Sequence, residues 1–307
     1  MLLLRNDAGP VLDLEYFPSG QFLAAAGQAR PAAGATGVAR VWDLVARAER
    51  AVYARAKHRG PFRALAVAPD GQTLVLGAHE GWVAVCDPVT DGVRHWISAS
   101  KGPIHALAIF PDGRTLVTAG SDMCSSVRLW EMHTGHRRAD NLPQKMGGVR
   151  LLALSPDGVL LAWDTCGQVR IYHVKKEERL ATLRHQEGKA RALAFKPDNR
   201  TLAVVLTAPG GGSRINLYNI AAARHAGTIA VPHALAGAVG FTPDGRLLAS
   251  GHDDGQVLLW DAATGRERAA FQWHEGSVTA LAFAPDGMTA AAGYHDGTIV
   301  VWDLDIG

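Results

Sequence analysis

Seven copies of one turn divide this chain. A Pro-Asp-Gly sequence or a close variant stands at Pro18-Ser19-Gly20, Pro69-Asp70-Gly71, Pro111-Asp112-Gly113, Pro156-Asp157-Gly158, Pro197-Asp198-Asn199, Pro243-Asp244-Gly245 and Pro285-Asp286-Gly287. A self-similar unit of this size cannot bury its own apolar face, so successive units must stack on one another to build a shared core. A second marker closes an alternating apolar run after each turn: Trp42-Asp43, Cys86-Asp87, Trp130-Glu131, Tyr172-His173, Tyr218-Asn219, Trp260-Asp261 and Trp302-Asp303. The two series interleave without a gap.

Each unit reads as short strands separated by turn residues, here lettered a to d. Proline presets φ for the second position of a type I turn, and Asp and Gly suit its exit, so the a–b connection is a hairpin. No helix is predicted. Four residues before each turn proline lie Leu14, Leu65, Leu107, Leu152, Leu193, Val239 and Leu281. The alternating sites are mostly alanine, as at Ala64, Ala66, Ala106, Ala108, Ala192 and Ala194. Small side chains there suit inner strands packed closely around an axis.

These features amount to a resemblance. The stretch WHEGSVTALAFAPDGMTAAAGYHDGTIVVWD, from Trp273 to Asp303, is similar to a nearly complete WD40 repeat, and the similarity extends over the whole chain. It implies an all-β, seven-bladed propeller of four antiparallel strands per blade, one domain spanning residues 1–307. Only five residues follow Trp302, too few for a last strand d, whereas Met1–Arg5 has no role in the first blade. The expectation is that Met1–Arg5 completes the last blade and removes the open edges.

The resemblance also implies a buried chain of His, Ser or Thr, Asp and Trp within blades. Blade seven offers His274, Asp296 and Trp302 but has Ala292 at the hydroxyl position. Blade six offers Ser250, Asp254 and Trp260, with His233 one residue out of register. Blade two has His58 but Leu76, Glu80 and Cys86 at the other positions. These roles are structural, so His274 with Asp296 is not read as a catalytic pair.

Other chemistry is sparse. The sequence has no GxxxxGK[ST], HExxH or GxSxG motif and no paired carboxylates at a convincing spacing, and Gly210-Gly211-Gly212 does not lead from a strand into a helix. Cys86, Cys124 and Cys166 form no CxxC pair, which argues against a disulfide framework and for a cytoplasmic setting. No catalytic residue, metal site or cofactor is expected; His252, Asp253, His295 and Asp296 are explained by turn chemistry before metal ligation. The apolar run at the amino terminus is too short for a signal peptide or membrane span.

With 31 Lys and Arg against 29 Asp and Glu, partner choice must come from local patches. The clearest lies six residues before each turn proline: Leu12, Arg63, His105, Arg150, Arg191, Gly237 and Thr279. Blades two to five are basic in succession, an arc suited to carboxylates or phosphates unless Asp122, Glu80 or backbone carbonyls neutralise it. Trp82, Trp273 and Tyr294 are aromatic candidates for the same face. Insertions in the b–c loops of blades one, three and five, at 27–37, 121–126 and 206–213, open onto it as well. The chain is therefore read as a non-enzymatic protein-interaction scaffold, standing alone or fused to an effector domain, with an acidic or phosphorylated peptide as the favoured partner. The alternatives are a metal-dependent hydrolase of propeller form and a nucleic-acid-binding propeller; four basic residues are few for a phosphate backbone.

Overall fold

The computed structural model describes residues 1–6, 9–28, 36–121, 127–138, 142, 148–165, 167–185, 188–231 and 234–304, with the backbone alone at 36 and 55–59. Its seven proline turns share one geometry. The amide of the third turn residue donates to the carbonyl of the residue before proline, as from Gly20 to Phe17 (2.9 Å), Gly71 to Ala68 (2.8 Å) and Gly287 to Ala284 (2.9 Å). That third residue lies in the left-handed region, at φ 72° in Gly20 and 57° in Asn199. This is a type I turn followed by a left-handed residue, a connection whose twist fits an antiparallel hairpin. The turn aspartates add a further bond: Asp70 Oδ1 accepts the Gln72 amide (2.8 Å) and Asp286 Oδ1 the Met288 amide (2.9 Å).

The turns punctuate seven antiparallel sheets, and no helix occurs among the described residues. Six sheets have four strands. In blade three, Ile104–Ile109, Thr115–Gly120 and Val127–Glu131 form three, and His136–Arg138 runs along the outer edge. There the Arg138 amide donates to Leu129 (2.9 Å) and the Glu131 amide to His136 (2.8 Å). The first strand, Leu2–Arg5, pairs with Thr298–Asp303 in the register Leu2 to Val301 and Arg5 to Thr298, so the amino terminus supplies the outer strand of the last blade.

The strands a are Val11–Tyr16, Phe62–Val67, Ile104–Ile109, Leu152–Leu154, Ala190–Phe195, Ala236–Phe241 and Val278–Phe283. Each packs on the next, and the last returns to the first, which closes a ring around a central channel. Most of the core lies between blades. Across the closing seam, Val11, Leu14 and Leu23 pack with Ala280, Ala291 and Ile299. Close approach there depends on glycine: a Cβ on Gly293 would lie 2.5 Å from Val11 Cγ1, and one on Gly251 2.3 Å from Val278 Cγ1.

One irregularity recurs. In six blades the pairing of strand a with strand b slips by one residue, between Val11 and Asp13, Phe62 and Ala64, Ile104 and Ala106, Ala190 and Ala192, Ala236 and Ala238, and Val278 and Ala280. The skipped residues are Leu12, Arg63, His105, Arg191, Gly237 and Thr279. A β-bulge leaves its extra residue unpaired and re-aims the side chain. The basic series picked out six residues before the turn proline is thus the bulge position, with Arg150 just ahead of the strand Leu152–Leu154 in blade four. Of the three long b–c loops, residues 29–35 of the first and 122–126 of the second, with Asp122, lie outside the described residues. The third folds as a hairpin in which the Ala208 amide donates to Gly212 (3.0 Å).

Candidate ligand site at the channel mouth

The bulges converge on the upper channel, a cavity of about 350 Å³ lined by Arg63, His105, Arg150 and Arg191 on one side and by Leu12, Gly237 and Thr279 on the other. Its basic members do not behave alike. Arg191 Nε donates to the Ala236 carbonyl (3.2 Å), so a backbone group of the next blade already holds it. Arg63, His105 and Arg150 belong to no ion pair among the described residues, although Asp164 Oδ1 does hold the backbone amides of Arg150 (3.0 Å) and Leu151 (2.7 Å). Desolvation and the charge of Arg150 lower the pKa of Arg63. His105, bonded through Nε2 to Ser121 Oγ (2.7 Å), is pushed down to about 4 by burial first, then by Arg63, Arg150 and His79. Two arginines thus stand beside a histidine that burial, more than their charge, holds below its usual range.

Sequence reasoning missed two residues of this cavity. Asp13 and Glu15 lie on strand a of blade one and line the channel, Glu15 also facing the lower chamber. Asp13 Oδ2 accepts the Leu65 amide (2.8 Å) and its Oδ1 the Leu14 amide (3.0 Å), while Glu15 Oε2 accepts the Val67 amide (3.2 Å). Both carboxylates thus reach across to the inner edge of blade two. Burial raises Asp13 to about 7, against its two amide bonds; burial and then the charge of Asp13 raise Glu15 to about 8. The expectation that no carboxylates pair here is corrected. The repeat itself carried the signal, because the other six blades place Ala64 and Ala66, Ala106 and Ala108, Leu151 and Ala153, Ala192 and Ala194, Ala238 and Gly240, and Ala280 and Ala282 at these two positions.

The aromatic candidates are seated in blade seams. Trp82 packs on the core between blades one and two. Trp273 stacks on Phe271 (4.7 Å between ring centroids) and meets Trp302 at a tilt (4.4 Å). Tyr294 is 0% exposed under the His274 ring, so its proposed part in partner contact is corrected to packing.

The polar chains also differ from expectation. In blade six Trp260 Nε1 donates to Ser250 Oγ (2.8 Å), which bonds His252 Nε2 (2.8 Å). The histidine in this chain is the buried His252, held neutral by desolvation. Asp254 instead caps the Gln256 amide (3.1 Å), and His233 lies outside the described residues, as does the side chain of His58. Blade three has a pair that sequence reasoning passed over, Trp130 Nε1 to Thr118 Oγ1 (2.9 Å). In blade seven Ala292 leaves the buried Trp302 Nε1 without a partner. His274 Nε2 lies 3.1 Å from Asp296 Oδ2, and His274 Nδ1 accepts the Gly276 amide (2.8 Å). Asp296 also accepts the Thr298 amide (2.9 Å) and hydroxyl (3.0 Å). Among the described residues no three His, Cys, Asp or Glu side chains come together as a metal site.

A ring of bulged inner strands around a funnel defines a repeat propeller whose variable chemistry is gathered at one mouth. The WD domain, G-beta repeat family model matches residues 93–131, 227–261 and 265–303, each match ending on a Trp-Asp or Trp-Glu marker. The chain is thus a seven-bladed β-propeller with WD40 repeats at three positions, and propellers of such repeats typically serve as protein-interaction scaffolds. No curated protein matches the chain.

Proposed function

We propose that this propeller is a non-enzymatic docking platform that captures an acidic or phosphorylated segment of a partner protein at the upper channel mouth, in the cytoplasm. The observation that carries the reading is the cluster of Arg63, His105 and Arg150, in no ion pair among the described residues and brought into one cavity by the bulges of blades two and three and the start of strand a in blade four. Like charges held together cost stability, and an anionic side chain entering the mouth lowers that cost while forming charge-assisted hydrogen bonds. Arginine suits the task because its planar fork matches carboxylate and phosphate oxygens. Fused to an effector, the same mouth would select the effector's target.

Binding of the chain to an array of glutamate-rich and phosphoserine peptides tests this. Arg63→Glu with Arg150→Glu, verified as folded by circular dichroism, is expected to abolish capture, and added salt to weaken that of the native chain. Retention undiminished by the double substitution would sink the reading and move the search to the b–c loops.

A further inference from the structure

We infer that the docking group is one end of a dipole, its anion held by Arg63, His105 and Arg150 and a primary ammonium seated below it against Asp13 and Glu15. This rests on the anion reading above and names the second half of the same ligand. The starting point is the exception within the repeat. Of the fourteen side chains at the two inner positions of strand a, twelve are Ala, Leu or Gly and only Asp13 and Glu15 ionise. Both line the cavity that holds the arc, and Glu15 stands where the upper chamber meets the lower.

The two carboxyl groups are fixed in place but have no cationic partner among the described residues. Amides of Leu14, Leu65 and Val67 orient them. The second oxygen of Glu15 has no hydrogen-bond partner among those residues. The same cavity holds a second unmet group, because the buried Nε of Arg63 lacks an acceptor. One wall therefore needs an anion and the other a donor-rich cation.

Distance keeps them apart. Asp13 lies one residue and Glu15 three residues beyond the bulge position, which along a strand is about 3–10 Å. A ligand whose anion and ammonium are offset by at least that much meets both walls at once. An ammonium fits the lower seat because its three donors can divide between two carboxylates. The cavity, about 350 Å³, is in the range of small-group binding sites, roughly 300–1,000 Å³. Burial disfavours the ionised carboxylates in the empty channel, so an entering cation would draw protons off them. In a protein partner this chemistry is an acidic or phosphorylated residue beside a lysine; a free amino acid with an anionic side chain carries it too.

Calorimetric titration of the whole chain at neutral pH with three probes decides. They are N-acetyl-phosphoserine-lysine amide, the same dipeptide with norleucine for lysine, and free O-phosphoserine. The lysine peptide is expected to bind about tenfold tighter than the norleucine peptide, equivalent to about 1.4 kcal/mol, with protons released to the buffer. Glu15→Gln and Asp13→Asn should each shrink that ratio, and Arg63→Glu should weaken both peptides. Stronger binding of free phosphoserine than of either peptide would support the same dipolar seat with a small molecule as its source. Equal affinity of the two peptides, both still dependent on Arg63, would overturn the ammonium seat and leave the anion reading standing. A ratio that survives both carboxylate substitutions would overturn it too. No binding by any probe would remove both. The peptide comparison needs no variant, so a misfolded substitution does not protect the inference.

Discussion

Glu15 occupies a position where every other blade has alanine or glycine, and the cost of that choice depends on pH. Its carboxyl is raised from 4.5 to about 8 and that of Asp13 from 3.8 to about 7. The folded chain then binds more protons than the unfolded chain between those limits, so this pair's contribution to stability falls as pH rises. His105 acts in the opposite sense, because a pKa lowered from 6.5 to about 4 gives stability that grows as pH rises to 6.5. Above 6.5 that gain is complete and the carboxylate effect remains. We expect the melting temperature of the native chain to drop from pH 6.5 to about 8, and Glu15→Gln, which keeps a side-chain oxygen for the Val67 amide, to flatten the drop. Parallel melting curves for the two proteins would show that Glu15 is not protonated in the folded chain. Seven aligned copies made both residues readable, yet a reading tuned to what the blades share sees only alanine there. His252 was hidden for another reason: it sits two residues from Ser250 on the same strand, whereas the family pattern seeks its histidine in the loop before strand a.

At the scale of the strand, the sequence carried the period and the turns but not the bulge. Pro, Asp and Gly encode the turn directly, through a preset φ, a side-chain acceptor and a left-handed exit, so all seven hairpins were legible. A one-residue slip in pairing leaves no residue type behind, since Leu12, Arg63, His105, Arg191, Gly237 and Thr279 share no chemistry. What they share is a register. The slip brings the apolar residue just before the bulge against the preceding blade's strand b, where glycine makes room: Val11 on Gly293, Ile104 on Gly77 and Val278 on Gly251. Gly293 does not have a positive φ, so alanine there would suffer from crowding alone. Overpacking of this kind costs about 1–3 kcal/mol. Gly293→Ala should lower the melting temperature, whereas Gly227→Ala, where a Cβ would meet nothing within 4 Å, should not. Equal effects at both sites would mean that the blades can shift apart without loss.

A ring behaves differently from the sum of its blades, because its weakest seam limits the whole. In this chain that seam is blade seven, where Leu2–Arg5 is held to Thr298–Asp303 by strand pairing and joined to it by no loop. Leu4 is buried, and Leu2 packs with it on the core shared by blades seven and one. Removing Met1–Arg5 bares the edge of Thr298–Asp303 and uncovers that core. At about 1.5–3 kcal/mol for each buried leucine, the loss is about 3 kcal/mol before the backbone pairing is counted. In a domain of this size that corresponds to a drop of roughly 5–10 °C. The channel mouth gives a second readout, because Asp13 and Glu15 belong to the blade on the other side of the same seam. If the ring is one cooperative unit, the truncated chain should lose peptide capture at the mouth over the same temperature range in which its sheets melt. A truncated chain that melts like the native one would show that the ring is held shut by the contact of Val278–Phe283 with Val11–Tyr16 alone.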